Sequence, residues 1–361
     1  MLGTRFLLAQ DLDVKKLPYG IKIACTDYVR HKGLKMRDIL VYVENRLSPS
    51  SPYFVSQSAV LTALGKDGLY ADVRCYPASA PDYDFLATAH YFIGSGFDTE
   101  RIKNHGSSLR LVHCTSAGVD RYLPLDWLPD GAMFTNSSGV HGEKGGAFGL
   151  MTVLMLCEGV PRHIENQKLH RWDPALSKGI ASKTILFLGF GDLGQAIAAR
   201  LKPLGPKIIA VTRSGQPNAG ADQTVLVEEV HTVIGRADCL VVCCPLTPAT
   251  RGMVDREMIS KMKRGSTLFN IARGPIVDNR ALVDALTDGH LSGAALDVFD
   301  QEPLPSDSNL WDVPNLIIFP HISCDDAEGY IDKCLSIFAG NVERYLTGRP
   351  LNNVIDTQAG Y

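Results

Sequence analysis

The run Thr184-Ile-Leu-Phe-Leu-Gly189-Phe-Gly191-Asp-Leu-Gly194 decides how this chain is read. Thr184–Leu188 has the composition of a buried strand. The three glycines form a turn, and the alanine-rich Gln195-Ala-Ile-Ala-Ala-Arg200 continues as a helix. Strand, glycine turn and helix in that order make a phosphate-binding turn. Gly189 permits the tight bend, Gly191 lets a pyrophosphate approach the backbone, and Gly194 lets the helix pack close to the strand. The helix then presents its first N–H groups, around Asp192 and Leu193, and its positive dipole end to the phosphates. A glycine string alone is a weak signal, so the reading rests on its surroundings.

Downstream, strand-like runs recur at Lys207–Val211, Cys239–Cys243, Ser266–Phe269, Gly293–Leu296 and Leu316–Phe319. Helical stretches at Leu193–Leu204, Val227–Gly235 and Asn279–Asp288 alternate with them, the last ended by Gly289. That alternation predicts a doubly wound parallel sheet. Upstream, Ile39–Val43, Ala71–Cys75, His90–Ile93 and Leu109–Cys114 read as strands and Tyr53–Leu64 as a helix, which predicts a second parallel sheet. A segment with few breakers runs from Gly142 to about Trp172, meeting Pro161 first. Asp325–Leu346 reads as an amphipathic helix closed by Gly348 and Pro350.

A NAD-binding unit carries an acid about 20 residues after the glycine turn, where it bonds the ribose 2′-hydroxyl. Here no Asp or Glu lies between Asp192 and Asp222, and the second strand ends Val211-Thr212-Arg213-Ser214. An arginine and a hydroxyl suit a dianionic 2′-phosphate, so the cofactor expected is NADP(H) in preference to NAD(H). The plainer reading of Arg213, a solvated loop residue, stays open.

Three polar groups follow three predicted strands: Asn270-Ile271-Ala272-Arg273-Gly274, Asp297 through Glu302-Pro303, and Pro320-His321. In open α/β sheets ligands bind outside the carboxyl ends of the strands, so these groups can converge on one cleft. Their chemistry is complementary. Reducing a ketone by hydride requires a proton for the nascent alkoxide and positive charge near the carbonyl oxygen and the carboxylate. A histidine beside a carboxylate keeps its proton near neutral pH, and a planar guanidinium binds a carboxylate. His321 is then the acid/base, Glu302 its partner and Arg273 the substrate clamp. Taken singly, each has a plain alternative: a capping arginine, a solvated acid, a core imidazole.

Composition bounds the rest. The chain has 361 residues, 45% of them hydrophobic and 21% charged, enough for two domains with real cores and too ordered in composition for a disordered chain. A net charge of −3 gives no basic field for nucleic acid. The longest nearly uncharged apolar stretch, Ala147–Cys157, falls far short of the ~18 residues that span a bilayer. Nine scattered cysteines without a CxxC spacing argue against a disulfide framework and a structural zinc, and for reduced thiols in the cytoplasm. The N-terminus lacks a secretory pattern.

Taken together, these residues resemble the D-2-hydroxyacid dehydrogenases of the glyoxylate/hydroxypyruvate reductase kind. The resemblance runs from Met36 to about Asp356. It rests on Gly189–Gly194, Asn270–Gly274 with Val277, Ala294 through Pro303, Pro314-Asn315 with Pro320-His321, and Asn341 through Leu351. It implies a Rossmann-type dinucleotide-binding domain, 142–324, inserted into a flavodoxin-like substrate domain made of 36–141 plus 325–361. Residues 1–35 are then an extension, or the product of a start codon chosen too early, with Met36 just ahead of the first strand. The implied reaction is hydride transfer between NADP(H) and a small 2-oxo or D-2-hydroxy acid. In the Ser116–Asp120 loop, the Ala117 and Gly118 N–H groups would hold the substrate carboxylate. Asp297 matches the residue that bonds the nicotinamide amide, and Pro245 and Thr250 the wall around the cofactor ribose. Ile271 and Ala272, with Arg273, match further cofactor contacts. The 143–172 segment matches the family's dimer contact, which implies a homodimer. The glycine-rich Gly142–Gly149 departs from the family, whose acidic position there is not evident, and this bears on the hinge. Glu302 disfavours a formate dehydrogenase, and no regulatory domain follows the last helix, which disfavours a long-form phosphoglycerate dehydrogenase. Two rivals remain: a dinucleotide-sensing protein like the family's corepressor relatives, and a same-fold enzyme for phosphoglycerate or a larger 2-oxo acid. Tyr122 and Trp127 lie near the loop, but their direction is not readable from sequence and such aromatics more often pack a core than line a pocket.

Overall fold

Two fully parallel sheets organise the computed structural model, which describes residues 39–66 and 68–356. The N-terminal extension expected at 1–35 therefore lies outside the described residues, as does Cys25. The described part divides into two compact units. One comprises residues 39–115, Trp127–Thr135 and Ile331–Val354; the other comprises Ser116–Asp126, Asn136–Tyr330 and residues 355–356.

The first unit holds β1 (Leu40–Asn45), β2 (Asp72–Pro77), β3 (Tyr91–Gly94), β4 (Leu111–Cys114) and β5 (Met133–Thr135), in the order β2-β1-β3-β4-β5. That is the flavodoxin-like order. Val41, Tyr42 and Val43 are wholly buried, as strands covered on both faces require. Aromatic rings fill much of this core. Tyr42 stacks on Phe92 at 5.7 Å, and Trp127 meets Phe97 edge-on at 5.6 Å and Phe134 at 5.3 Å. The last helix spans Tyr330–Leu346 rather than starting at Asp325. Gly329 sits at φ 77°, and Asp326 accepts the Glu328 N–H at 3.1 Å, so the preceding residues make a turn instead of helix.

The second unit holds β6 (Thr184–Leu188), β7 (Lys207–Thr212), β8 (Gln223–Leu226), β9 (Cys239–Val242), β10 (Ser266–Asn270), β11 (Leu291–Leu296) and β12 (Leu316–Ile318). Their order, β12-β11-β10-β9-β6-β7-β8, is that of a doubly wound parallel sheet whose strand order reverses between β6 and β9. Alternate residues of β6 serve opposite cores. Ile185 and Phe187 pack with Val153 and Ile197, while Leu186 and Leu188 pack with Leu240, Val242 and Leu268. The expected helix Val227–Gly235 is only a helical turn, Val230–Val233, between two 3-10 turns. Its Val, Thr and Ile residues restrict side-chain rotamers and lower helix propensity.

The segment from Gly142 is two helices, Gly142–Cys157 and Val160–Lys168. Gly159, at φ 71°, makes the break, and Pro161 sits in the first turn of the second helix, where it costs no hydrogen bond. The glycine-rich start has a packing cause. A Cβ at Gly149 would stand 2.5 Å from Ile197, one at Gly145 2.6 Å from Leu193, and one at Gly146 2.5 Å from Arg200. The glycines let this helix lie directly on the helix Asp192–Leu201 that follows the phosphate turn.

Ser116–Asp126 goes with the second unit, not with the 36–141 domain that the sequence suggested. Contacts from Asp120 and Ala117 to that unit, described below, account for it. The other borders move similarly, to Asn136 and Tyr330 from 142 and 324. Among the described residues no helix is long and apolar enough to cross a membrane.

Candidate active site

At the reversal point of the second sheet the three turn glycines have three distinct surroundings. Gly189 lies at φ 92°, and a Cβ there would stand 2.6 Å from the Cys244 backbone. A Cβ at Gly194 would stand 3.0 Å from the Gly189 carbonyl oxygen and 3.1 Å from Cys243 Sγ. At Gly191 nothing comes within 4 Å. Two glycines therefore serve close packing, and the third opens a bare backbone surface. The helix Asp192–Leu201 starts beside it with no side-chain cap, which leaves first-turn N–H groups for a ligand. This cradle fits the pyrophosphate of a dinucleotide. The Cys243 thiol donates to the Gly189 carbonyl at 2.9 Å and steadies the bend.

Around the cradle, the Thr250 hydroxyl donates to the Pro245 carbonyl at 2.7 Å and accepts the Thr247 N–H at 2.8 Å. Thr250 thus closes the 245–250 turn upon itself. Arg213 and Ser214 are exposed just past the carboxyl end of β7. The acid that follows them, Asp222, accepts the Ile208 N–H at 2.7 Å, at the amino end of the same strand. It is committed at the wrong end to meet a ribose beside Arg213.

The Arg273 loop is built by Asn270, the last residue of β10. Its Nδ2 donates to the Arg273 carbonyl at 2.9 Å, and its Oδ1 accepts the Ala272 N–H at 3.1 Å. Ile271 and Ala272 are buried in the bend. Gly274 then passes so close to the 299–300 backbone that a Cβ would stand 2.1 Å from the Phe299 carbonyl carbon. The Arg273 side chain reaches the Ser116–Asp120 loop. Nε donates to Asp120 Oδ1 at 3.1 Å, and Nη1 donates to the Ala272 carbonyl at 2.7 Å. Nη2 lies where a Gly118 side chain would begin, 1.5 Å from an ideal Cβ. Asn136 Nδ2 holds the loop from behind by donating to the Ala117 carbonyl at 2.6 Å.

His321 Nδ1–H donates to Glu302 Oε2 at 2.7 Å, and Glu302 Oε1 accepts the Phe299 N–H at 2.9 Å. Nε2 is therefore the ring nitrogen left for chemistry. The Glu302 bond raises the imidazole above its ordinary pKa, against the effect of burial. Burial alone would raise the Glu302 carboxyl, but the bonds from His321 and Phe299 outweigh it and hold it below the usual carboxylate range. His321 occupies left-handed backbone, φ 54°, a region where few residues other than glycine, asparagine, aspartate and histidine sit. Asp297 maintains that bend. Its carboxylate, 2% exposed, accepts the Ile322 N–H at 2.9 Å and the Ser323 N–H at 3.2 Å. Burial pushes the Asp297 carboxyl up, while those N–H groups oppose the shift.

Arg273 acts electrostatically on both His321 and Glu302, so the three share one neighbourhood. Sequence reasoning missed the supports: Asp120, Asn136 and Asn270, and also His141, whose Nδ1–H donates to the Cys324 carbonyl at 3.1 Å. Asn270 and Asp120 stood inside quoted motifs, but nothing local marked their partners. Tyr122 and Trp127 are buried, Trp127 among the rings of the first unit, as core packing requires. Eight cysteines are free among the described residues. Burial pushes the Cys157 thiol up to about 11 and those of Cys244 and Cys324 up to about 12, so these are packing groups and not nucleophiles.

Comparison with known proteins gives the family. Residues 150–323 match the family model described as D-isomer specific 2-hydroxyacid dehydrogenase, NAD binding domain. A glyoxylate/hydroxypyruvate reductase B of Pectobacterium carotovorum is 32% identical over 285 residues, 77% of this chain and 88% of that protein. The crystal structure of a D-isomer specific 2-hydroxyacid dehydrogenase from Xanthobacter autotrophicus, in complex with NADPH and MES, superposes with a TM-score of 0.78 at 28% identity, covering 90% of this chain and 99% of that one. An NADPH-dependent glyoxylate/hydroxypyruvate reductase from Sinorhizobium meliloti, in complex with NADP and sulfate, gives 0.75 at 26%, covering 90% and 100%. The chain therefore belongs to the D-isomer specific 2-hydroxyacid dehydrogenase family, an oxidoreductase with an NAD(P)-binding domain.

Proposed function

We propose that this enzyme reduces small 2-oxo acids of the glyoxylate and hydroxypyruvate kind to D-2-hydroxy acids, with NADPH in preference to NADH. The observation that carries the reading is the His321–Glu302 pair in the neighbourhood of an arginine seated on Gly118. When bound, a reduced nicotinamide supplies the hydride. His321 Nε2 gives the proton to the forming alkoxide, and Glu302 holds Nδ1–H so that the protonated ring persists near neutral pH. Arg273 holds the substrate carboxylate with the Ala117 and Gly118 N–H groups and draws charge toward the carbonyl oxygen. Ile271, Ala272 and Asp297 are assigned to the nicotinamide side, and Pro245 and Thr250 to its ribose. In the reverse direction neutral His321 takes the proton back.

The cofactor preference is supported by Arg213 and Ser214 at the β7 end and by the engagement of Asp222 at the opposite end. A related dehydrogenase crystallised with NADPH and a related reductase crystallised with NADP point the same way. The test is kcat/KM for glyoxylate and hydroxypyruvate measured with both cofactors. Values with NADH that equal or exceed those with NADPH would refute the preference, and no turnover on the panel would refute the substrate class.

A homodimer completes the reading. Trp172 is 95% exposed and Leu176 97% exposed, with exposed Leu169 close by in sequence. Apolar residues this bare are best explained by a covering surface, here assigned to a second copy of the chain.

A further inference from the structure

We propose that Asp120 is the positioning residue of the substrate clamp: it locks the Arg273 guanidinium with Nη2 on Gly118 and keeps clamp and loop in one rigid body. The proposal rests on the carboxylate-binding role of Arg273 given above. It starts from how the five guanidinium donors are spent. The Nε–H goes to Asp120 Oδ1 and one Nη1–H to the Ala272 carbonyl. Those two bonds fix the plane of the group from two sides. The Nη2 donors are left on the face toward Gly118, next to the loop N–H groups that would take the other part of a carboxylate.

Gly118 is the complement of this arrangement. Any side chain there would start 1.5 Å from Nη2, so the guanidinium occupies the space a Cβ would need. The loop approaches the arginine through bare backbone, and Asp120, two residues on, reaches around to its Nε edge. Asp120 begins a 3-10 turn, Asp120–Tyr122, whose Tyr122 is buried, so its own backbone is anchored. Ser116–Asp126 falls in the same unit as Arg273, although neighbouring β4 and β5 belong to the other.

The pair is no stability device. The side chains of Arg273 and Asp120 keep 30% and 36% exposure, and half-exposed ion pairs contribute little to folding. Its worth is orientation. An unrestrained arginine samples many rotamers, and small misplacements of a positioning group can cost about a hundredfold in rate.

The test compares Asp120→Ala with Asp120→Asn in the full-length enzyme. Alanine removes the Nε acceptor, whereas asparagine keeps an oxygen for it and removes only the charge. The expected result is a fall of about a hundredfold in kcat/KM for a 2-oxo acid with Asp120→Ala, recovery to within several-fold of wild type with Asp120→Asn, and NADPH affinity unchanged in both. Asp120→Ala within twofold of wild type, or both variants equally impaired, would overturn the proposal. A second measurement needs no turnover. The nitrogen-15 resonance of Arg273 Nε–H, assigned by its loss in Arg273→Lys, should exchange slowly with solvent in wild type and Asp120→Asn and fast in Asp120→Ala. Equal exchange in all three overturns the proposal, whatever the substrate proves to be. A wild-type enzyme that reduces no 2-oxo acid while the exchange difference holds would instead overturn the functional reading.

Discussion

Replacing Glu302 by glutamine keeps the side-chain shape and removes the charge on which His321 depends. Each native oxygen accepts one bond, Oε1 from the Phe299 N–H at 2.9 Å and Oε2 from His321 Nδ1 at 2.7 Å. Glutamine has a single oxygen. If the oxygen keeps the Phe299 N–H, the NH2 group can donate only to a neutral ring with Nδ1 as acceptor, which puts the ring proton on Nε2 and opposes the charged imidazole. Two unit charges 4 Å apart attract by about 1 kcal/mol in water and about 4 kcal/mol at an effective dielectric of about 20. With 46% and 35% of the two side chains exposed, this pair sits toward the watery limit. After screening, the attraction is worth about 1–2 kcal/mol. Reduction requires protonated His321, so log kcat/KM for reduction falls as pH rises through the imidazole pKa. Glu302 places that fall above the ordinary histidine value, and the variant should bring it down toward that value. The two enzymes should then differ little at low pH, where both imidazoles are protonated, and by about tenfold on the alkaline side. Oxidation of the hydroxy acid needs the neutral ring, and its acid limb should move down by the same amount. The assay is initial rate from nicotinamide ultraviolet absorbance across the pH range in both directions. An alkaline limb unmoved in Glu302→Gln would refute the assignment of Glu302 as the group that sets His321.

Other substitutions test other parts of the frame. Gly191→Ala points its methyl into open space, so Tm should hold while NADPH binding, read by fluorescence titration, weakens about tenfold or more. Gly274→Ala would drive a methyl into the Phe299–Asp300 backbone, which cannot rotate away; a loss of about 2–3 kcal/mol in chemical denaturation is expected, with activity falling as the Arg273 loop shifts. Trp172→Glu should convert the proposed dimer to monomer in sedimentation without lowering the Tm of the isolated chain.

What was legible in the sequence follows how local each signal is. The β6 turn could be read because its glycine spacing, strand and helix lie within a few residues of one another. The carboxyl-end placement of Arg273, Glu302 and His321 followed from the strand pattern alone. The edge strands β5 and β8, Met133–Thr135 and Gln223–Leu226, escaped because three or four residues leave no period to detect. Gly159 rather than Pro161 makes the helix break, since a proline in a first turn interrupts nothing and a glycine in left-handed backbone does. The glycine-rich run from Gly142 looked like an anomaly until the helix it packs against was visible. Asp120 and Arg273 lie 153 residues apart, and no pattern within either motif predicts their meeting.

The left-handed backbone at His321 also ranks what this position tolerates. For most residues with a Cβ that conformation costs about 1–2 kcal/mol, while asparagine and glycine visit it readily. Here the bend is enforced from outside, by the Asp297 bonds to Ile322 and Ser323 and by Glu302. The chain therefore carries a small conformational debt at the residue that moves the proton. Among inactive variants, His321→Asn should melt highest, His321→Ala lower and the β-branched His321→Val lowest, an order set by backbone preference and not by lost contacts. All three lose the Glu302 bond, so a stabilised and active version is best sought elsewhere in the fold.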